Sequence, residues 1–297
     1  MRIVHTIQEL RERIDHVRRR GQSVGLIPTM GYLHDGHMAL VDAARRECDC
    51  VVTSIFVNPL QFGPNEDFAS YPRDLERDAS VLAAHGCDLL FAPSVSEMYP
   101  EPLQTAVMLP DMSQVLCGRT RPTHFRGVTT VVTKLFNIVQ PDKAFFGQKD
   151  GQQVILIRRM VQDLNLPVSV MTVPTVREQD GLAKSSRNIY LTAAERPHAN
   201  VLYRALSHAH HLLVQGERQA DRLVSEMHSV IDRDGAAKLD YAEIVNLSNL
   251  APVTLVEGQV MLAIAAYIGK ARLIDNFQLE VTPTRVINLF ESDVPVC

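Results

Sequence analysis

The sequence is poor in cysteine. Five are present, Cys48, Cys50, Cys87, Cys117 and Cys297, an odd number with no CxxC pair. That argues against a disulfide framework and a thiolate zinc site, and fits reduced thiols in a cytosolic protein. Cys48 and Cys50 have strand-like spacing, which would turn both thiols to one side. No run of 18 apolar residues occurs, so no membrane-spanning helix is expected. The opening stretch MRIVHTIQELRERIDHVRRRG lacks the apolar core of a signal peptide, so export is not expected. It predicts a surface helix with a Thr6–Glu9 capping box and Arg18–Arg20 at its C-terminal end. Excess positive charge is also missing. The formal net charge is -4, so no nucleic-acid partner is expected and any phosphate site is local. Internal repeats, low-complexity tracts and a Ser–His–Asp set are not apparent.

What is present is an ordinary globular composition, 46% hydrophobic and 22% charged over 297 residues, long enough for two domains. SVGLIPT (Ser23–Thr29) reads as a buried strand, GHMALVDAARRE (Gly36–Glu47) as a helix and CVVTSIFVN (Cys50–Asn58) as a central parallel strand. The alternation continues through DLERDASVLAAHG, CDLLFAP, GVTTVVTKLFNIVQ, KAFFG, GQQVILIRRMVQDL and PVSVMTVPTV. The β-branched run VTTVVT counts against its helix. Repeated βα units predict an open, doubly wound parallel sheet of Rossmann-like α/β type. After about residue 176 the pattern changes to two helices and then strands with a Gly-Lys turn. A smaller α+β domain is therefore expected over residues 176–297, behind a nucleotide- and substrate-binding domain over 1–175.

The chemistry-bearing residues cluster at predicted strand ends. PTMGYLHDGH (Pro28–His37) puts His34 and His37 at the mouth of a helix. Gly31 and Gly36 would let backbone approach a ligand, and free helix N–H groups attract anions. The segment is neither a Walker loop nor a GxGxxG turn. Taken alone, an HxxH pair is an ordinary loop or cap feature; the strand–Gly–HxxH–helix context favours a polyphosphate cradle. FFGQKDGQQ adds Gly147, Lys149 and Asp150, and GLAKSSRN (Gly181–Asn188) adds Lys184, Ser185, Ser186 and Arg187. Asn58, Gln61 and Gln153 are amides suited to a small hydroxy acid. Asp78 is a candidate magnesium carboxylate with Asp74 as its rival. Arg121, His124 and Arg126 are candidate anion contacts. HAHH (His208–His211) puts His208 and His211 one helical turn apart, but no third ligand stands out, so a plain surface helix is expected.

These motifs, PTMGYLHDGH, SIFVNPLQF, RPTHFRGV, FFGQKDGQQ and KSSRNIYL, resemble in order and spacing those of the pantothenate synthetase (pantoate–β-alanine ligase) family, within the HxxH nucleotidyltransferase superfamily. The resemblance implies a cytoplasmic homodimer whose smaller C-terminal domain acts as a lid. It implies ATP-dependent condensation of (R)-pantoate with β-alanine through pantoyl adenylate, with Mg2+. It places Met30, Gly31, Tyr32, Leu33, His34, Asp35, Gly36 and His37 at ATP, with His37 the usual candidate proton donor. Gly147, Gln148, Lys149, Asp150, Val176, Lys184, Ser185, Ser186 and Arg187 would also contact ATP. Gln61 would touch both pantoate and β-alanine, Gln153 pantoate, and Asp78 magnesium. His34, His37, Lys149, Ser185 and Arg187 would stabilise the transition state. The sequence departs from the family in Lys184 for Met, Gln148 for Glu and Gly151 for an aromatic residue. A nucleotidyltransferase that stops at the adenylated product and a non-catalytic nucleotide sensor are the rival readings.

Overall fold

The computed structural model describes residues 1–64 and 66–290; Cys297 lies outside the described residues. Two compact units are present. One comprises residues 1–114, 118–147 and 153–173; the other comprises 115–117, 148–152 and the chain from Pro174 onward.

The first unit opens with β1 (Arg2–Val4), α1 (Ile7–Arg18), β2 (Val24–Thr29), α2 (Asp35–Glu47) and β3 (Cys50–Ile55). Next come α3 (Leu75–Ala84), β4 (Leu89–Phe91), α4 (Val95–Met98), α5 (Cys117–Thr120), which straddles the units, and α6 (His124–Val139). β5 (Lys143–Gly147), α7 (Gly151–Asp163), whose first two residues belong to the second unit, and β6 (Ser169–Val173) complete it. The strands form one parallel sheet in the order β1-β4-β3-β2-β5-β6. The apolar runs at β2 and β3 pair from Val24↔Cys50 to Thr29↔Ile55 and are buried along most of their length. Ile27, Val41, Ala44, Val51, Leu90 and Phe145 lock α2 and the strands into one core. From β2 the chain winds one way through β3 and β4, then returns to place β5 on β2's other side. That reversal is the topological switch point, where such sheets bind ligands beyond their carboxyl ends.

Three local outcomes differ from the sequence expectation. β1 pairs with β4 at the sheet edge, although the N-terminal stretch reads only as a helix. At that helix only half of a capping box forms: Thr6 Oγ1 accepts from Glu9 N at 3.2 Å, while the Glu9 carboxylate pairs with Arg2. Cys48 ends α2 and only Cys50 lies on a strand, so the two thiols do not share a strand face. The β-branched α6 is a helix buried along most of its length, and two of its threonines also bond to its backbone. Thr129 Oγ1 donates to Phe125 O at 2.7 Å and Thr133 Oγ1 to Thr129 O at 2.8 Å.

In the second unit, α8 (Val201–Val214) and α9 (Ala220–Asp234) precede β7 (Ala237–Asn246), β8 (Gly258–Ile268), β9 (Ala271–Val281) and β10 (Val286–Asn288). The strands form an antiparallel sheet in the order β10-β9-β8-β7, with Gly269 at φ +55° in the β8–β9 turn. Leu206 and Leu213 of α8 and Met227 and Ile231 of α9 share a core with Leu262, Ile264 and Phe277. No helix among the described residues is long and apolar enough to cross a membrane.

Gly127 marks the tightest contact near the sheet's carboxyl edge. A Cβ there would collide with Leu60 O and lie 2.6 Å from Gln61 Cα, both backbone atoms of the 3-10 turn Pro59–Gln61 and its approach. Gly127→Ala is expected to destabilise the protein by about 1–3 kcal/mol, the usual overpacking cost. An unchanged urea midpoint would contradict this close approach.

Candidate active site

The loop from Met30 to His37 leaves β2 through two left-handed residues, Gly31 at φ +85° and Tyr32 at φ +51°. A Cβ at Gly31 would sit 2.9 Å from Ile55 Cγ2 and 3.2 Å from Asp78 Oδ2, so both φ and space demand glycine. Asp78, only 1% exposed, accepts from Tyr32 N at 2.6 Å and from Leu33 N at 2.8 Å. Arg77 assists from the same helix: its Nη2 donates to Leu33 O at 3.0 Å and its guanidinium lies 5.1 Å from the Tyr32 ring centroid. Burial pushes the Asp78 carboxyl above its ordinary pKa, against the opposing pull of the Leu33 and Tyr32 amides and Arg77.

His34 is the N-cap of α2. Its Nδ1 accepts from Gly36 N at 3.1 Å, and His37 Nδ1 accepts from His34 N at 3.3 Å. This is a capping box built from imidazoles. Because each Nδ1 accepts, each neutral ring carries its proton on Nε2 and presents a donor there. The rings stand 4.1 Å apart by centroid. Gly36 is required by this cap: its Cβ would fall 2.9 Å from His34 Nδ1 and Cε1. The ordinary cap role expected for an HxxH pair is thus filled by both side chains.

Several expected ligands have structural work instead. Asp78, expected at magnesium, has its two oxygens turned to the loop amides, with Arg77 Nη1 3.4 Å away. Asp74 caps α3, accepting from Arg77 N at 3.0 Å. Asn58, expected at substrate, has its amide taken up within the protein. Nδ2 donates to Gln61 Oε1 at 3.2 Å and Gly127 O at 3.1 Å, while Oδ1 accepts from Leu60 N and from the Tyr99 hydroxyl at 2.8 Å. Arg121 and His124, expected as anion contacts, hold the Gln61 turn. Arg121 makes a two-pronged ion pair with Glu66, and Gln61 O accepts from Arg121 Nη2 at 3.3 Å and meets His124 Nδ1 at 2.9 Å. Burial would raise the Glu66 carboxyl, but Arg121's hydrogen bond and charge hold it below the ordinary value. Gln61 itself, 8% exposed, points Nε2 at Met30 Sδ, 3.0 Å away. Sulfur is a weak acceptor that a substrate oxygen can replace. Gln153 is half-buried in the first turn of α7. Arg77, Tyr99 and Glu66 carry this arrangement without an obvious sequence signal. Only the structure shows what they hold.

In the second unit, Gln148, Lys149 and Asp150 form a 3-10 turn, with Lys149 Nζ 3.7 Å from Asp150 Oδ1. Gln148 Oε1 accepts from Thr175 N at 3.2 Å, so an amide suffices at this position. Val176 O accepts from Lys184 N at 2.9 Å, closing a hairpin that leads into Ser185–Arg187. Ser185 Oγ caps the next turn, accepting from Arg187 N at 3.3 Å. Lys184 Nζ lies 3.4 Å from Glu178 Oε1. Ser186 is buried and Arg187 half-buried. His208 pairs with Glu226 and His211 with Gln215, and no metal-holding group of three His, Cys, Asp or Glu side chains occurs among the described residues.

Imidazoles capping the helix that follows β2, at the switch point of a parallel doubly wound sheet, define an α/β enzyme of the nucleotide-handling class. The family model described as Pantoate-beta-alanine ligase matches residues 2–278. The pantothenate synthetase of Moorella thermoacetica is 53% identical over 281 residues, covering 95% of this chain and 99% of that protein. That of Thermotoga neapolitana is 53% identical over 276 residues, covering 93% and 99%. The crystal structure of pantothenate synthetase from Thermus thermophilus superposes with a TM-score of 0.89 at 48% identity, covering 95% of this chain and 100% of that one. The Francisella tularensis pantoate-beta-alanine ligase, described as complexed with beta-gamma ATP and beta-alanine, gives 0.76 at 35% identity over 93% and 97%. The chain belongs to the pantoate–β-alanine ligase family.

If Asp78 anchors the loop, its effect must show without metal or nucleotide. Asp78→Asn replaces one acceptor with a donor that faces an amide. Hydrogen exchange at Tyr32 and Leu33 should accelerate in metal-free protein, and stability should fall by about 1–3 kcal/mol. A pure metal ligand would leave both unchanged.

Proposed function

We propose that the chain joins pantoate to β-alanine in two ATP-dependent steps. A pantoate carboxylate oxygen attacks the α-phosphorus of ATP; the bond to the β-phosphate bridging oxygen breaks, giving pantoyl adenylate and pyrophosphate. The β-alanine amine then attacks the acyl carbon, loses a proton and expels AMP. The reciprocal imidazole cap at α2 is the observation that carries this reading. It fixes two Nε2–H donors at a helix N-terminus without a full positive charge, as suits phosphate oxygens that gain charge during displacement.

We assign phosphate stabilisation to His34, His37, Lys149, Ser185 and Arg187. Backbone from Met30 to Gly36, from Gly147 to Asp150, and at Val176, Lys184 and Ser186 completes the proposed ATP contacts. Gln61 and Gln153 bind the hydroxy acid by amide donation. ATP enters as its magnesium complex, the metal arriving on the phosphates as part of the substrate. No protein nucleophile is needed, since positioning and charge stabilisation carry such transfers. A cytoplasmic homodimer belongs to the same proposal, and its mass in solution tests the assembly.

Pantoate-dependent ATP–pyrophosphate exchange reads the first step alone. His37→Ala and Lys149→Ala should each lower it by about 10²–10³-fold, the usual loss for one preorganised donor. Near-normal exchange in both folded variants would refute these roles. Adding β-alanine should release AMP and form the amide. Accumulation of adenylate alone would favour a nucleotidyltransferase instead.

A further inference from the structure

The proposed phosphate grip in the second unit lies on two segments, the Gln148–Asp150 turn and the loop that ends in Ser185–Arg187. Two adjacent residues of β9 hold both. Asn276 is 3% exposed. Its Nδ2 donates to Gln148 O at 2.9 Å and to Lys149 O at 3.0 Å, while its Oδ1 accepts from Gln278 Nε2 at 3.4 Å. Asp275, 4% exposed, accepts from Arg177 Nη1 at 2.6 Å and Nη2 at 3.0 Å, and from Asn276 N at 2.8 Å. Arg177 in turn donates to Gly181 O at 3.0 Å and stacks over Tyr203, 4.7 Å from its centroid. Arg177 also bridges Ala183, one residue before Lys184.

A buried amide and a buried carboxylate side by side in a strand are costly unless every group is paired. Here each is paired, and the partners belong to the loops. The Gln148 and Lys149 carbonyls sit in a 3-10 turn and receive from Asn276 the hydrogen bonds that burial demands. Gly151 completes the contact. A Cβ there would lie 2.8 Å from Met261 Sδ and 2.9 Å from Asn276 Oδ1 and Gln278 Nε2, so a larger residue would require those side-chain ends to shift.

We propose that Asp275 and Asn276 are positioning residues for adenylation: Asn276 places Lys149 through its backbone carbonyl, and Asp275 places Ser185–Arg187 through Arg177. This inference rests on the site reading above. Neither residue is proposed to touch substrate.

Asn276→Ala should slow pyrophosphate exchange by about 10²-fold, the scale of a small misplacement of a reacting group. The loss should fall on kcat and the ATP KM and leave the pantoate KM unchanged. A merely structural role would multiply with the loss of Lys149. A positioning role would not, so Lys149→Ala/Asn276→Ala should be no slower than Lys149→Ala. Asp275→Asn paired with Arg187→Ala should behave alike. Near wild-type exchange in Asn276→Ala, or a fully multiplicative double variant, overturns the proposal. Should Asn276→Ala fail to fold, Gln278→Ala removes only the Asn276 Oδ1 partner. It should slow exchange with the same non-multiplicative pattern, and a wild-type rate there is equally fatal. If Lys149→Ala itself exchanges normally, the site assignment falls and the positioning role falls with it. If Lys149→Ala is slow while Asn276→Ala is not, only the positioning role fails.

Discussion

One buried carboxylate fixes the loop on which the first unit's chemistry depends. The Met30–His37 loop must turn from a strand into a helix within a few residues, and it does so through Tyr32 at φ +51°. A left-handed non-glycine residue persists only where its surroundings over-determine it, at a cost of about 1–3 kcal/mol. Asp78 supplies that constraint by taking the amides on both sides of the strained bond. Each hydrogen bond to a charged acceptor contributes about 1.5–3 kcal/mol, enough together to offset the strain and part of the carboxylate's burial. His34 follows directly, so its extended N-cap geometry is set by a residue on another helix.

The cap then settles a chemical question that composition leaves open, namely which imidazole nitrogen carries the proton. Nδ1 of each ring is committed to a backbone N–H, which leaves the proton of the neutral ring on Nε2. A free surface histidine would sample both tautomers. Here helix capping selects one of them in both rings, so part of the stabilisation of α2 also preorganises the site. The mundane and the catalytic readings of HxxH are one arrangement.

The alternating strands and helices were legible because hydrophobic runs and turn residues repeat at the right lengths. So was the change of pattern after residue 176. The N-terminal β1 was not, since three residues at a sheet edge carry little periodic signal. Site residues were legible by type and strand-end position, but not by task. Gly36 invited a ligand-approach argument; its structural reason is room for the His34 ring. Asn58, Asp78, Arg121 and His124 carry ligand-like side chains that hold the turns bearing Gln61 and His34. Chemistry-competent residue types are also the ones that satisfy buried backbone, and only a partner list separates the two uses. Asp275 and Asn276 escaped notice for the converse reason: they lie inside a stretch expected as strand and belong to no motif, and the loops that need them lie far away in sequence.

The departures from the family pattern are best understood through the same constraint. An aromatic residue at position 151 would displace the side-chain ends of Met261, Asn276 and Gln278, so Gly151 and those three side chains fit together beside the Lys149 turn. Gln148 needs only an acceptor for Thr175 and a backbone carbonyl for Asn276, and an amide provides both as well as a carboxylate would. It does so without burying a further negative charge beside the anion site. Lys184 adds a cation, but Glu178 stands opposite it and offsets that charge. Each change is therefore met by its immediate neighbours. The residues proposed to grip the phosphates, Lys149 and Ser185–Arg187, lie beside all three positions, and a positioning-driven reaction is steeply sensitive to such placement.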